Sequence, residues 1–228
     1  MQVHAKPRYI LFAGVNGAGK STLFRSGLWH AGEGDAQLPR VNSDEILSAH
    51  GWDWADGLAQ LRAGKEAVRM MKSFIEQRAS FNQETTLAGK SIVREIQRAA
   101  KTGYEIVVHY VGVESPDIAI SRIAHRVMTG GHDIAPEDVS KRYTASQQNL
   151  VSVVRFADQV FLFDNTRELV LTAAFSKGEL TWIDDFPGVK WVYGAFDGTG
   201  LLDRDSVDEE RRRFALDSNM EEGGLRYG

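Results

Sequence analysis

The stretch Gly14-Val15-Asn16-Gly17-Ala18-Gly19-Lys20-Ser21 matches the phosphate-binding pattern G-x-x-x-x-G-K-[ST] in full. The apolar run RYILFA at residues 8–13 precedes it and predicts a buried strand, and a helix is expected from Thr22 to about Trp29. Glycines let the backbone approach phosphate oxygens closely, and the N–H groups at the start of a helix favour an anion. This context predicts a nucleotide-binding P-loop rather than a glycine-rich turn that binds nothing.

The positions of the motif have separable roles. Lys20 is expected to reach the β- and γ-phosphates, and Ser21 is expected to place its hydroxyl on Mg²⁺. The guanine-reading pattern N-K-x-D does not occur in the sequence, so ATP is favoured as the nucleotide. The residues expected to bind the nucleotide are Gly14, Asn16, Gly17, Ala18, Gly19, Lys20, Ser21 and Thr22.

Outward from the P-loop, apolar periodicity predicts strands alternating with helices as far as residue 164. The predicted strands cover 8–13, 38–41, 80–85, 104–113 and 159–164, and the predicted helices include 58–75, 91–101 and segments opened by Pro116 and Pro136. In helix 58–75, one apolar face is formed by Leu58, Leu61, Val68, Met71 and Ile75. The alternation predicts an α/β fold, a P-loop three-layer sandwich with a central, mainly parallel sheet.

The pattern of the sequence changes in the C-terminal part of the chain. The segments ELVLTAAF and ELTWI, separated by Ser-Lys-Gly, predict a hairpin. We expect a P-loop kinase domain over residues 1–193 and a charged extension over 194–228, helical or disordered in part.

Composition excludes several classes of protein. The 228 residues are 43% hydrophobic and 25% charged, which is globular composition, and the lack of cysteine excludes disulfides and a catalytic thiol. The apolar runs are too short to span a bilayer, so we expect no membrane partner and a cytoplasmic location. The net charge of −4 argues against nucleic acid as a partner, because nucleic-acid affinity depends on neutralising phosphates.

Two acidic residues follow predicted strands. Asp44 follows strand 38–41, and Glu84 lies at the end of strand 80–85, so both are expected on the rim that faces the ligand crevice. Asp44 is a candidate base for an acceptor hydroxyl, although Ser43 or Asp44 could instead cap a helix beginning near Glu45. Glu84 is a candidate for holding a Mg²⁺ water or a substrate hydroxyl, and the alternative is a solvated strand end.

Arginines flank a glycine break in the second half of the chain. Arg122 and Arg126 have i, i+4 spacing, Gly130-Gly131-His132 follows, and Arg142 lies on the next helix. This arrangement predicts a lid that carries arginines to the triphosphate, with ordinary exposed arginines as the alternative. His132 is expected to be a turn or lid residue.

Trp52 and Trp54 follow Asp44 closely. Their place in the sequence predicts core packing or the wall of an acceptor pocket, rather than a platform for stacking nucleic-acid bases.

Five motifs in order resemble the zeta-toxin-like P-loop kinases over roughly residues 8 to 165. They are GVNGAGKST at 14–22, NSDEI at 42–46, FNQETTLAG at 81–89, SPDIAISRIAHRVxxGGHDI at 115–134 and KRY at 141–143. The resemblance implies a nucleoside-kinase-like fold, ATP with Mg²⁺ as donor, and UDP-N-acetylglucosamine as acceptor, phosphorylated on the sugar 3′-hydroxyl. It also implies an antitoxin protein as a partner.

The resemblance further implies roles for single residues. Lys20 and Ser21 match the P-loop roles, Asp44 matches the general base, and Glu84 matches the acidic residue of the E-x-T element. Arg126 and Arg142 match the two lid arginines, with Arg122 as the alternative to Arg126. The rival hypotheses are an ATPase that drives a conformational change and a nucleotide-sensing module without turnover.

Overall fold

A seven-stranded sheet forms the centre of the protein. The structure is a computed structural model that describes residues 6–29, 34–128, 131, 133–184 and 190–202. The strands are β1 (Arg8–Ala13), β2 (Arg40–Val41), β3 (Phe81–Thr85), β4 (Glu105–Gly112), β5 (Gln159–Asp164), β6 (Val170–Ser176) and β7 (Glu179–Ile183). The α-helices are α1 (Lys20–Ser26), α2 (Ser43–Ala49), α3 (Gly57–Gln77), α4 (Lys90–Lys101), α5 (Pro116–Met128), α6 (Pro136–Val154) and α7 (Lys190–Phe196).

The strand order is β2-β3-β1-β4-β5-β6-β7. The pairs from β2 to β5 are parallel, and β6 and β7 add to the edge as antiparallel strands. The predicted α/β fold with a mainly parallel sheet is therefore confirmed. The chain runs from β1 to β2 and β3 on one side and then to β4 and β5 on the other, so the carboxyl end of β1 is the switch point where such sheets bind ligands.

Helices cover both faces of the sheet. In β1, Tyr9 and Leu11 belong to the apolar cluster that includes residues of α2, α3, α4, α6 and α7. Ile10 and Phe12 belong to the opposite cluster, with residues of α1 and α5. This alternation follows from the two-residue period of a strand, and it produces three layers.

The buried face of α3 differs from the predicted one. Leu58, Leu61 and Val68 are 64%, 54% and 43% exposed, so the expectation that they share the packed face with Met71 is wrong. The residues of α3 that are buried are Ala59, Ala63, Ala67 and Met71. Small alanines on this side let α3 pack closely, whereas Leu58, Leu61 and Val68 are left at the surface.

The polar strand β3 lies in the middle of the sheet, between β2 and β1. Asn82 and Gln83 are buried there. Asn82 Nδ2 donates to the Leu38 carbonyl at 3.2 Å, and the Tyr9 hydroxyl donates to Gln83 Oε1. Because these buried polar groups have hydrogen-bond partners, a central strand accommodates a sequence with little apolar character.

The last described elements complete the core. β6 and β7 are joined by a turn at Lys177 and Gly178, and α7 buries Trp191 and Phe196. The predicted domain boundary at residue 193 falls inside α7, and the division into domain and extension stays a prediction because residues 203–228 lie outside the described part. None of the described helices is long and apolar enough to cross a membrane.

Candidate nucleotide and acceptor site

The P-loop packs closely against the backbone of β4 and α5. Gly14 has φ 135° and Gly17 has φ 80°, which are conformations that favour glycine. A Cβ at Gly14 would lie 2.2 Å from the Val111 carbonyl oxygen, and one at Gly17 would lie 2.5 Å from the Ala119 carbonyl oxygen. These two positions therefore tolerate no side chain, and the loop is fixed against β4 and α5.

The end of the P-loop is also held by the loop that follows β5, two strands away at the same edge of the sheet. Asn165, in the loop after β5, donates from Nδ2 to the Ala18 carbonyl at 2.7 Å. Gly19 follows in the left-handed conformation as the residue before α1, and Thr22 lies exposed in the first turn of that helix. The predicted nucleotide-binding residues thus form one continuous loop and helix start.

Lys20 is buried beneath this loop at 7% exposure, and its Nζ donates to the Val15 carbonyl at 3.2 Å. Burial lowers the pKa of Lys20 from its ordinary value, while the charges of Glu84 and Asp44 oppose that shift and those of Arg126 and Arg142 add to it. The predicted site residues are therefore close enough to act on one another. An anion in the loop favours the charged form of Lys20.

Ser21 and Glu84 form the candidate metal site. The pairing of Phe12 with Glu84 in the sheet brings Glu84 beside the P-loop, and Ser21 Oγ lies 3.0 Å from each carboxylate oxygen. The Glu84 side chain is only 10% exposed, so the alternative of a solvated strand end is wrong.

These donors fit Mg²⁺. Mg²⁺ takes oxygen ligands and is usually held by one or two protein groups together with phosphates and water. The described part of the chain contains no cluster of three or more His, Asp or Glu residues suited to a metal ion, and a hydroxyl with a neighbouring carboxylate needs none.

Asp44 lies in the first turn of α2. The helix cap is Asn42, whose Oδ1 accepts from the Asp44 backbone N–H at 2.9 Å, so the alternative that Ser43 or Asp44 caps the helix is wrong. The cap satisfies the helix end without using the Asp44 carboxylate, and Asp44 lines the cavity described next.

A cavity of about 740 Å³ opens between the P-loop, α2, α3 and the start of α6. Asn16, Asp44, Glu84 and Arg142 line its polar side. Its apolar lining residues include Leu47, Trp54, Ala63, Ala67, Val68, Ile92 and Ile134. Trp54 thus lies where an acceptor wall was predicted, whereas Trp52 stacks on His50 with ring centroids 4.1 Å apart and is not part of the lining.

The charges around this cavity are mostly negative. The carboxylates among its lining residues are those of Asp44, Glu84, Asp133 and Asp138, and the cation among them is Arg142. Because Arg142 Nη1 donates to Asn16 Oδ1 at 3.0 Å, this cation lies on the P-loop side.

The two candidates for the first lid arginine differ in the interactions that the structure gives them. Arg122 Nη2 donates to the Thr166 carbonyl at 3.3 Å, in the loop after β5. The charge of Arg126 instead acts on Lys20. Gly131 packs closely on Arg126, because its N–H donates to the Arg126 carbonyl at 2.9 Å and a Cβ there would lie 2.5 Å from Arg126 Cγ. The predicted lid residues Gly130 and His132 lie outside the described residues.

Sequence reasoning missed three residues at this site: Arg40, Asn42 and Asn165. Asn42 could have been found, because an asparagine before a Ser-Asp-Glu run is typical of a helix N-cap. Arg40 and Asn165 act through contacts with residues distant in the chain, and no local pattern indicates them.

Comparisons with known proteins agree with the motifs. The sequence model of the zeta toxin family matches residues 1–176. A Haemophilus influenzae protein described as uncharacterized is 34% identical over 134 residues, which are 59% of this chain and 91% of that protein.

Two solved structures share the fold. One, of the PezAT chromosomal toxin–antitoxin system of Streptococcus pneumoniae, has a TM-score of 0.50 and 18% identity over 73% of this chain and 71% of that chain. The other, of AvrRxo1-ORF1:AvrRxo1-ORF2 with sulphate ions, has a TM-score of 0.61 and 15% identity over 84% of this chain and 64% of that chain. With a P-loop at the switch point of its sheet and a family match over most of its length, the chain belongs to the zeta toxin family.

Proposed function

We propose that this protein is an ATP-dependent phosphotransferase that transfers the γ-phosphate to a hydroxyl of a small molecule. The observation that carries the proposal is a convergence at one rim of the sheet. Ser21 of the P-loop contacts Glu84, and Asp44 and Glu84 line the same cavity beside Lys20. Membership of the zeta toxin family supports kinase-like chemistry at this rim.

In the proposed mechanism, Lys20 and the P-loop amides bind the β- and γ-phosphates of ATP. Ser21 and Glu84 would hold Mg²⁺, which when bound would neutralise part of the phosphate charge. Arg126 and Arg142 stabilise negative charge on the transferring phosphoryl group. Their electrostatic effect on Lys20 supports that role, because it indicates that both lie near the phosphate loop.

Asp44 is the proposed general base. It accepts the proton of the acceptor hydroxyl as that oxygen forms a bond to the γ-phosphorus. The bond between the γ-phosphorus and the bridging oxygen then breaks, and ADP leaves with that oxygen. The place of Asp44 in the cavity wall supports this role, because an acceptor bound there lies between Asp44 and the P-loop.

For the acceptor, we propose a nucleotide sugar such as UDP-N-acetylglucosamine, as the motif resemblance implies. The cavity of about 740 Å³ is within the range of small-molecule pockets. Trp54 and Val68 provide apolar surface for a ring, while carboxylates and amides can bind hydroxyls.

A second acceptor class is favoured by the charges of the cavity. Among the described lining residues, Glu84 is paired with Arg40 and Lys20. The further carboxylates of Asp44, Asp133 and Asp138 repel an additional diphosphate. An uncharged or cationic polyhydroxyl compound avoids this repulsion. The two classes differ in whether the acceptor itself carries phosphate.

The test is to incubate the protein with ATP, Mg²⁺ and either UDP-N-acetylglucosamine or a panel of unphosphorylated sugars and aminosugars. Mass spectrometry then detects an acceptor that has gained one phosphate. Asp44→Asn should abolish the product and leave ATP binding intact. Asp117→Asn is the matched control, because Asp117 is an exposed acid in the first turn of α5 and should keep full activity.

Other outcomes discriminate the rival functions. ADP formed at the same rate with and without any acceptor supports an ATPase. Tight nucleotide binding without turnover supports a nucleotide-sensing module. Near-normal transfer by Asp44→Asn contradicts the assignment of Asp44 as the base.

The fold shared with the PezAT structure also supports a proposed antitoxin partner for this chain. A toxin of this mechanism should arrest bacterial growth when expressed alone, and the Asp44→Asn variant should not. Equal growth of cells that express the two proteins at equal levels would contradict the toxin role, while leaving the phosphotransferase proposal standing.

A further inference from the structure

Arg40 contacts Glu84 and is held in place by several further contacts. Its side chain is 11% exposed, and its guanidinium carbon lies 3.8 Å from the centre of the Phe24 ring. Nη2 donates to Glu84 Oε2 at 2.5 Å, and the other nitrogens donate to Asn82 Oδ1 at 3.2 Å and Glu45 Oε1 at 2.8 Å. Because three nitrogens and one face of the planar group are engaged, Arg40 has little freedom to move.

These contacts distinguish the two oxygens of Glu84. Oε2 accepts from Arg40 and, at 3.3 Å, from Asn42 Nδ2. Oε1 lies 3.9 Å from Lys20 Nζ, and Ser21 Oγ lies 3.0 Å from both oxygens. Arg40 and Asn42 therefore hold the carboxylate through Oε2, and Oε1 is directed toward the P-loop.

The arrangement also limits the competition between Glu84 and phosphate for Lys20. Glu84 is a nearly buried anion between two cations, and the shorter of its two ion pairs is to Arg40. Without Arg40, Lys20 becomes the nearest cation for this carboxylate. A closer Glu84–Lys20 pair would withdraw Lys20 from the phosphates and move Glu84 away from Ser21.

We propose that Arg40 is a positioning residue for the metal–nucleotide site, acting through Glu84. This inference rests on the proposed function, because it assigns Ser21 and Glu84 to Mg²⁺. Groups that orient a metal-holding carboxylate typically change metal affinity about 10–100-fold when they are removed. Arg40 also links β2, which leads into Asn42 and Asp44, to β3, which carries Glu84, so it holds the acceptor side and the metal side in one arrangement.

The experiment measures binding rather than turnover. Mn²⁺ is titrated into the full-length protein saturated with the non-hydrolysable analogue β,γ-imido-ATP, and free Mn²⁺ is followed by electron paramagnetic resonance. Arg40→Gln should weaken Mn²⁺ binding about 10-fold or more. Arg40→Lys should recover part of this loss, because an ammonium retains one contact to Glu84 but not the three-way fork.

Arg8→Gln is the matched control. Arg8, at the opposite end of β1 from the P-loop, is a partly buried arginine that pairs with Asp35 and Glu105. Its removal should lower the melting temperature and leave Mn²⁺ affinity within about twofold of the wild type. Loss of Mn²⁺ affinity in Arg8→Gln equal to that in Arg40→Gln would overturn the proposal in favour of a general structural role.

A double-mutant cycle tests the route through Glu84. In a Glu84→Gln background, Arg40→Gln should cause little further loss of Mn²⁺ affinity. A full additional loss would overturn the inference, as would Arg40→Gln and Arg40→Lys proteins that both bind Mn²⁺ like the wild type. If the wild type itself fails to bind the analogue with Mn²⁺, the proposed function fails, which is a different result from wild-type binding that Arg40 does not affect.

Discussion

Lys20 shows how a single residue can favour function over stability. Its burial lowers its pKa, so the unbound fold disfavours the charge that the phosphates require. The charges of Glu84 and Asp44 offset part of the cost of holding this ammonium, and an anion in the loop offsets more of it. The residue that carries the P-loop chemistry is therefore a source of instability in the unbound protein.

Lys20→Met should weaken ATP binding at least about 100-fold and leave the melting temperature of the unbound protein equal or higher. The lowered pKa means that the unfolded chain keeps this proton to higher pH than the folded chain does. The destabilisation caused by Lys20 is thus largest below the pKa of the folded protein, and it declines as the pH rises from there to the pKa of the unfolded chain. Urea unfolding of wild type and variant at pH 7 and pH 10 checks both the sign and the trend.

Lys90→Met is the control for this experiment. Lys90 is likewise the first residue of a helix, α4, but it is exposed. The Lys90→Met substitution should change neither the ATP affinity nor the pH dependence of the protein's stability. A Lys20→Met protein that is much less stable than wild type at pH 7 would contradict the argument.

The lid arginines allow a second test at the residue scale. Arg126→Ala should lower kcat roughly 10³-fold, because a guanidinium that stabilises the transferring phosphoryl group has an effect of that size or larger. Arg122→Ala should have a much smaller effect on kcat, because Arg122 donates to the Thr166 carbonyl. Steady-state kinetics of both variants, with their melting temperatures, would decide between them, and a larger kcat loss in Arg122→Ala would reverse the assignment.

Among the elements, α7 shows a contact in which a large side chain lies over a glycine. Trp191 packs on Gly112 at the end of β4, and its Nε1 donates to Asp164 Oδ1 at 2.8 Å. A Cβ at Gly112 would lie 2.3 Å from the indole ring. The contact thus requires glycine in β4, although the glycine and Trp191 are far apart in the sequence.

Gly112→Ala should displace Trp191 and destabilise the protein by about 1–3 kcal/mol, the usual effect of overpacking a core. Gly194→Ala, on the exposed side of α7 with no atom within 4 Å of the added Cβ, should instead stabilise by about 0.5–1 kcal/mol. Chemical denaturation with tryptophan fluorescence measures both changes. A neutral Gly112→Ala would show that α7 can shift without cost.

For the whole molecule, the position at which the folded domain ends can be tested by truncation. The predicted domain ends at residue 193, but Phe196 and Leu202 are buried in the same cluster as the sheet. A chain ending at Tyr193 should be less stable than one ending at Leu202 by about 3 kcal/mol or more, since loss of one buried Phe side chain alone has that effect. Thermal unfolding of the two truncated proteins beside the full chain measures the difference, and equal melting temperatures would support the boundary at 193.

The fold class and the phosphate loop could be predicted from the amino-acid sequence. The G-x-x-x-x-G-K-[ST] motif and the alternation of strands and helices are local patterns, and local propensity with chain connectivity is sufficient to predict a mainly parallel α/β sheet. The same reasoning predicted that Asp44 and Glu84 lie on one rim, because carboxyl ends of parallel strands meet there. Their catalytic roles stay predictions for the experiments above.

Which side chains contact one another could not be predicted from the sequence, because it depends on how the elements pack. Periodicity indicated an apolar face for α3 but not that alanines form its buried side, because close packing on that side selects small residues over large ones. Likewise, both Arg122 and Arg126 satisfied the lid pattern, and only their interactions in the folded protein separate them. Arg40 carried no signal at all, because its partners Glu84 and Asn82 come from a strand more than forty residues along the chain, and such contacts depend on how the whole sheet assembles.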